Sequence, residues 1–248
     1  METFSHVRAI AKREWSAYFN SPIAYVFIVI FLILCAFFAF SVSRFYEEGS
    51  ADLRALFTWL PWLYLILVPA AAMRLWAEER KSGTIELLFT LSVTPFQAVA
   101  GKFLAAWGFL LLALALTFPL PLTALYLGKP DLGATACGYL GGALLAAGYL
   151  AVGMFTSALT RNQVISFVLA VVICLFLVLV GFPPVTDLLS RWAPSWLVEG
   201  VAALSVVPHY DALQRGIVDL KDVAYFLSLV VFALFGTHVV LLNRTSTR

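Results

Sequence analysis

The residue types that carry chemistry in enzymes and metal sites are few in this sequence, and they stand far apart. The three histidines, His6, His209 and His238, form no His-Glu-x-x-His pattern. The three cysteines are scattered through apolar runs, so they match neither a disulfide framework nor a metal-ligand spacing. Gly101 and Lys102 read like the end of a phosphate-binding loop, but Phe96 stands where that loop needs a glycine. We therefore predict no catalytic residue, no metal and no cofactor bound by this chain, which is then not an enzyme.

The composition indicates what kind of protein positions these few residues. Of 248 residues, 62% are hydrophobic and 12% are charged, against roughly 45 to 50% apolar and about 25% charged residues in soluble domains. So few charges cannot cover a soluble domain of this size, and bilayer lipid must cover much of the apolar surface. A water-soluble enzyme, a nucleic-acid-binding protein and a disordered scaffold are thereby excluded.

Six apolar stretches are long enough to cross the hydrocarbon core, which takes about 20 residues. They predict an all-α polytopic membrane protein, and they cover residues 22–42, 56–75, 103–127, 134–159, 164–181 and 223–242. With six crossings both termini lie on one side of the membrane. Ten Lys and Arg residues lie on that side and six on the other. Because Lys and Arg are enriched in cytoplasmic loops, both termini should be cytoplasmic.

The first 21 residues have the pattern of an amphipathic interfacial helix. Phe4, Val7, Ala11, Trp15 and Tyr18 form one apolar stripe at helical spacing, with Arg8, Lys12 and Arg13 turned away from it. Such a helix would lie along the inner leaflet, with its basic face toward anionic lipid and its aromatic residues at the acyl boundary. The sequence leaves equally open that this helix only anchors the chain and has no further function.

The predicted spans contain almost no ionisable residue, which disfavours a carrier driven by an ion gradient. Energy for uphill transport would then come from another subunit. The fourth span has a ridge of small residues, Ala134, Gly138, Gly142 and Ala146, that lets a second helix approach closely. That helix could belong to the same subunit or to another one.

The cytoplasmic segment 76–102 between the second and third spans contains more helix signals than an ordinary loop does. Ser82 and Gly83 can cap a short helix beginning at Thr84 and running through Leu91, and Thr94 with Gln97 forms a capping box for the third helix. The short helix is more apolar than a water-facing connector should be. It could lie on the bilayer or fill a groove on a partner protein.

This loop, residues 78–88 followed by Thr94 and by 101–103, resembles the hallmark loop of ABC-2-type transporter permeases. Two further segments, 18–26 and 216–228, resemble the permease subunits of the gliding-motility-associated, GldF-like group. The resemblance covers nearly the whole chain. It implies a permease of the bacterial inner membrane that acts as a dimer, with a second copy of itself or a related permease, and with two cytosolic ATPase subunits that bind ATP and Mg.

The resemblance also implies a role for the short loop helix, which in these permeases is a coupling helix seated in a cleft of the ATPase. The residues carried into this ATPase-coupling interface are Glu79, Arg80, Gly83, Thr84, Ile85, Glu86, Leu87 and Leu88. The first helix resembles the connecting helix of the family, which packs beside that junction.

Residues 182–222, between the last two spans, are expected to form short helices that dip into the outer interface. In the resembled family this region is a pair of re-entrant helices above the translocation path, so it is either a gate or a cap on the bundle. The gate candidates are Trp192, Trp196, Glu199, His209 and Tyr210.

The predicted function is that of a permease subunit exporting an amphipathic or envelope-related substrate. Two other functions stay open at this point: a non-transporting membrane scaffold that passes ATPase motion to an envelope accessory protein, and an independent secondary carrier. Membrane lipids are expected contacts in each case. The substrate and the direction of transport do not follow from the sequence.

Overall fold

The computed structural model describes residues 2–43, 53–84 and 94–245. All regular secondary structure in these ranges is helical, as the composition predicts. The helices are α1 (Glu2–Phe19), α2 (Pro22–Phe37, continued by a π-helical turn, Phe38–Val42), α3 (Arg54–Phe57), α4 (Leu60–Ala72), α5 (Arg74–Ser82), α6 (Pro95–Ala115), α7 (Pro119–Leu127), α8 (Leu132–Leu159), α9 (Gln163–Leu179), α10 (Pro183–Ser190), α11 (Ser195–Ala202), α12 (Val206–Gln214) and α13 (Leu220–Thr245).

Five helical segments in the described ranges are long and apolar enough to cross a membrane, and the chain is a multi-pass membrane protein. They are Pro22–Val42, Leu60–Ser82, Pro95–Leu127, Leu132–Leu159 and Leu220–Asn243. The fifth predicted span, 164–181, corresponds to α9, whose 17 residues rise only about 26 Å, short of the roughly 30 Å hydrocarbon core. It reaches that length only together with α10, at a bend of 70°.

The bend between α9 and α10 follows from two consecutive prolines. Phe182 precedes Pro183 and is extended, with ψ of 133°, because the proline ring disfavours the helical conformation in the residue before it. Pro183 then begins α10 at the first helical position, where its missing N–H costs nothing. The predicted span 164–181 therefore corresponds to α9, which ends two residues earlier, and the sharp turn follows it.

The second predicted span, 56–75, differs more from the structure. The chain forms α3 first, α4 begins at Leu60, and the helical path continues without a loop through α5 to Ser82. Pro69 inside α4 removes one backbone donor, and the helix is interrupted shortly afterwards, at Met73. The predicted cytoplasmic loop thus begins as a helix.

The start of the third span confirms the predicted capping box. The Gln97 backbone N–H donates to Thr94 Oγ1 at 3.3 Å, and the Thr94 N–H donates to Gln97 Oε1 at 3.0 Å. Pro95 occupies the first helical position. The helix therefore begins eight residues before Phe103, the predicted start of the membrane-spanning part.

Helix α8 lies at the centre of the molecule, packed against α4, α6, α9, α12 and α13. Its small residues allow this. A Cβ added at Gly138 would lie 2.5 Å from the Phe57 ring, and one at Gly142 would lie 3.1 Å from Leu60. Ala146 is fully buried. The ridge predicted from the sequence therefore meets helices of the same subunit in this structure.

Helix α1 packs on α6. Tyr18 stacks on Phe109, with ring centroids 4.9 Å apart, and the Trp15 ring lies against Gly108. Phe4, which the sequence places on the same stripe, is 85% exposed. Part of the predicted stripe is therefore covered by protein, and the contact of the rest with lipid stays a prediction.

Candidate functional site

A buried cation joins three helices at the end of the bundle from which the predicted coupling loop leaves. The Lys102 side chain of α6 is only 3% exposed, and its Nζ lies 2.7 Å from Glu79 Oε1 of α5 and 3.3 Å from Glu14 Oε1 of α1. The same ammonium lies 5.1 Å from the centre of the Trp76 ring, within the range of a cation–π interaction. We call Glu14, Glu79 and Lys102 the Lys102 cluster.

The approach of α1 to α6 positions the first of these carboxylates. Gly101 precedes Lys102, and a Cβ added there would lie 2.8 Å from the Cβ of Ile10. Glycine therefore lets α1 come closer than any other residue would allow. Glu14 lies four residues after Ile10, on the same helix face, so this close approach brings its carboxylate to Lys102.

A side chain of α8 caps the start of α5, the helix that carries Glu79. The interruption at Met73 leaves backbone donors of the first turn of α5 without partners in their own helix. Two of them, from Trp76 and Ala77, donate to Ser157 Oγ at 3.1 and 3.0 Å. The Ser157 hydroxyl in turn donates to the Met73 carbonyl at 2.9 Å. One buried hydroxyl of α8 thus holds the junction of α4 and α5.

The same end of α8 receives a second contact from α5, nearer the C-terminus of that helix. The Arg80 guanidinium donates to the carbonyl of Ala158, one of the last carbonyls of α8, which have no partner within their own helix. A cation at a helix C-terminus is also favoured by the helix dipole. Helix α5 is therefore fixed to α8 through Ser157 and Arg80, and to α6 and α1 through Glu79.

The electrostatics of the cluster favour the ionised form of the Glu14 carboxylate. Burial by itself would raise the pKa of Glu14, but the charges of Lys102 and Arg13 outweigh this and hold the pKa below its ordinary value. The second oxygen of the other carboxylate, Glu79 Oε2, is buried and has no hydrogen-bond partner within the described part of the chain.

Helix α5 ends at Gly83, whose φ of +75° is the left-handed conformation that glycine adopts at helix C-termini. Gly83 therefore ends α5, and the predicted helix from Thr84 to Leu91 lies, apart from Thr84, outside the described residues. The Ser82 hydroxyl donates backward to the Glu78 carbonyl at 3.0 Å. Thr84 is helical and exposed. The other predicted coupling residues, Ile85, Glu86, Leu87 and Leu88, lie outside the described residues.

The outer gate candidates do not form one cluster. Trp192, Trp196 and Glu199 are exposed on α11 and on the turn before it. His209 is held in place, since its Nδ1 lies 2.7 Å from the buried Asp222 carboxylate and its ring stacks on Tyr225.

Tyr210 is buried, and its hydroxyl donates to the Phe57 carbonyl at 3.0 Å. Because its hydroxyl ties α12 to α3, Tyr210 packs between helices in this structure. Its place among the gate candidates stays a prediction.

Sequence reasoning missed the Lys102 cluster. The sequence does not indicate that Lys102 is buried, and the apolar stripe predicted on α1 does not include Glu14. The available signal was weak: a lysine directly after a glycine at the head of an apolar helix, and one acidic residue in a basic helix.

A protein-family model described as "ABC-2 family transporter protein" matches residues 46–242 of the chain. No curated protein matches it significantly.

Proposed function

The chain belongs to the ABC-2 transporter family, and we propose that it is the permease subunit of an ABC transporter, of the GldF-like group, in the bacterial inner membrane. In this proposal two copies form the translocation path, both termini are cytoplasmic, and two separate ATPase subunits bind ATP and Mg. The transported molecule is an amphipathic or envelope-related substrate, and the direction is export.

The observation that carries the proposal is the attachment of α5 to the bundle. A short helix bonded to α8 at both of its ends and to α6 through a buried ion pair moves with those helices as one body. Its far end, at Gly83 and Thr84, is exposed. A force applied just beyond Thr84 would therefore reach the central helix directly.

We assign the predicted coupling residues to two roles according to their contacts. Glu79 and Arg80 are engaged inside the subunit, to Lys102 and to Ala158. We assign them to transmitting the movement, since their charged groups already have partners within the chain. Contact with the ATPase then falls to Thr84 and the residues after it, where Ile85, Leu87 and Leu88 would fill an apolar cleft and Glu86 would fix the orientation.

Site-specific cross-linking tests this arrangement. We expect Thr84→Cys, in a Cys137→Ser background that removes the only partly exposed natural cysteine, to link to a chain that contains a nucleotide-binding phosphate loop. The matched control is Lys129→Cys, an exposed position on the opposite side by the predicted topology, which should not link. Equal linking at both positions, or no ATPase among the products at Thr84, contradicts the proposal.

Measured ATP turnover separates the permease from the two other functions. In proteoliposomes, a transporter complex hydrolyses ATP faster in the presence of its substrate, whereas a scaffold complex shows no such stimulation. A secondary carrier requires no ATPase and drives flux from an ion gradient alone. Uphill flux by the purified chain without an ATPase would overturn the proposal.

A further inference from the structure

A groove of about 690 Å³ lies between α1 and α2 on one side and α4 and α5 on the other. This volume is in the range of pockets that hold drug-sized or lipid-sized ligands, about 300 to 1,000 Å³. Its two ends differ in chemistry. Most of its length is apolar, and its wall residues include Ala24, Phe27, Ile30, Leu67, Ala70 and Ala71.

The charged residues of the groove are all at one end, beside the Lys102 cluster. Besides the cluster itself, Arg74 and Glu78 line this end. Three carboxylates face two cations of the lining, and Arg13 pairs with Glu14 at 2.7 Å from outside the groove, so the charges at this end balance. One acceptor is unused, because Glu79 Oε2 is buried without a hydrogen bond in the described ranges. Such an end favours a ligand that brings a positively charged N–H donor.

The length of the apolar part matches one leaflet of a bilayer. Along α2 the groove runs from Ser21 to Ile30, and nine residues of helix rise about 14 Å, close to half of a hydrocarbon core of roughly 30 Å. Ile23, Val26 and Ile30 line the groove and are exposed on the outside of the subunit. An acyl chain can therefore enter from the side, directly from the leaflet.

We propose that this groove binds one phospholipid with a primary-amine head group from the leaflet that borders the Lys102 cluster. One acyl chain lies against α2 and α4. The ammonium group donates to Glu79 and Glu78, and the phosphate lies near the Arg74 guanidinium. This site goes beyond the proposed function and does not depend on it, since a lipid can bind whether or not an ATPase is attached.

Photo-cross-linking in bilayers of known composition tests the proposal. A benzophenone amino acid replaces Ile30, which lines the deep end of the groove, or Ile33, which is on the same helix, 61% exposed and outside the groove. The purified chain is placed in vesicles with equal amounts of phosphatidylethanolamine and phosphatidylcholine, and the captured lipids are identified by mass spectrometry. Phosphatidylcholine is the matched probe because its quaternary ammonium has no N–H to donate.

We expect position 30 to capture the ethanolamine lipid with about a tenfold preference, the effect of one charge-assisted hydrogen bond, and position 33 to capture both lipids equally. Glu79→Gln should remove most of the preference at position 30, whereas Glu199→Gln, an exposed carboxylate on α11, should leave it unchanged. Filling the groove with Ala70→Leu and Ala71→Leu should lower capture at position 30 and not at position 33.

Two results would overturn the proposal. Equal capture of the two lipids at position 30 would show that the charged end does not select an amine. Capture of a second copy of the chain at position 30 would show that the groove is a subunit interface. Because the vesicles contain no ATPase, either result leaves the proposed transport function to be decided by its own cross-linking experiment.

Discussion

Replacing Lys102 by methionine should destabilise the protein more than any single change to its two acidic partners. Lys102 Nζ lies 2.7 Å from Glu79 and 3.3 Å from Glu14, and these carboxylates are only 22% and 16% exposed. Without the ammonium, two largely buried negative charges face each other, and only Glu14 keeps a counterion, the Arg13 guanidinium at 2.7 Å. Breaking a buried ion pair by removing one partner costs about 3 to 5 kcal/mol, and here one change breaks two pairs.

Neutralising the carboxylates as well should recover most of that loss. In the triple variant Lys102→Met, Glu14→Gln and Glu79→Gln no buried charge of the cluster is left unpaired, and the one charge that loses its partner, Arg13, is 58% exposed. Replacing buried ion pairs by uncharged groups is often close to neutral. Each Glu→Gln change alone should cost less than Lys102→Met, because Lys102 keeps one acidic partner in either case. The size order of the four variants is thus fixed by the geometry of the cluster.

Thermal unfolding of the purified chain in detergent, followed by circular dichroism, measures this order. Lys129→Met, at an exposed lysine, is the matched control and should unfold with the wild type. The reasoning is refuted if Lys102→Met is as stable as wild type, or if the triple variant is no more stable than the single one. The first result would mean that the ammonium has no stabilising role, and the second that its loss acts through packing.

Three further changes test the attachment of α1 and α5. Gly101→Ala places a methyl group 2.8 Å from Ile10 and should lower the free energy of unfolding by about 1 to 3 kcal/mol through overpacking. The control Gly200→Ala, where no atom lies within 4 Å of the added Cβ, should be neutral in the same unfolding assay. Ser157→Ala removes the acceptor of two buried N–H groups and should cost about 1 to 3 kcal/mol. The pKa of Glu14 is held below its ordinary 4.5, so its stabilisation is full above that pH and is lost as the pH falls through the lowered value; Glu14→Gln should flatten this acid-side loss of stability.

Each of these has a result that would contradict it. A Gly101→Ala protein as stable as the Gly200→Ala control would show that α1 can shift without cost. A Ser157→Ala protein with wild-type stability would show that the α4–α5 junction finds other acceptors. If Glu14→Gln lost stability at low pH just as the wild type does, that loss would come from other carboxylates.

The parts of the fold that follow from local rules were predictable from the sequence. The Thr94 and Gln97 capping box, confirmed atom by atom, depends on four consecutive residues and on nothing else. Hydrophobic runs likewise identified the long apolar helices. The bend after α9 could have been foreseen too, because Pro183 and Pro184 are visible in the sequence and Phe182 precedes them.

The parts that depend on distant contacts were not predictable in this way. The stripe on α1 was identified by its period, but period does not say whether lipid or another helix covers it. The covering surface is set by glycines almost a hundred residues away, at Gly101 and Gly108. The interruption at Met73 also depends on a distant contact. The Ser157 hydroxyl of α8 accepts the backbone N–H groups of Trp76 and Ala77 that the interruption leaves without partners.

The Lys102 cluster shows why charge counting and charge placement lead to different conclusions. A count assigns Lys102 to the cytoplasm, where a lysine requires no partner. The Lys102 side chain is only 3% exposed. It therefore requires partners, because burying an unpaired charge costs too much free energy. Those partners come from two separate segments, α1 and α5, so the ion pairs can exist only when three helices are assembled. A charge of this kind reports on assembly, and the same dependence makes it sensitive to any movement of α5 against α6.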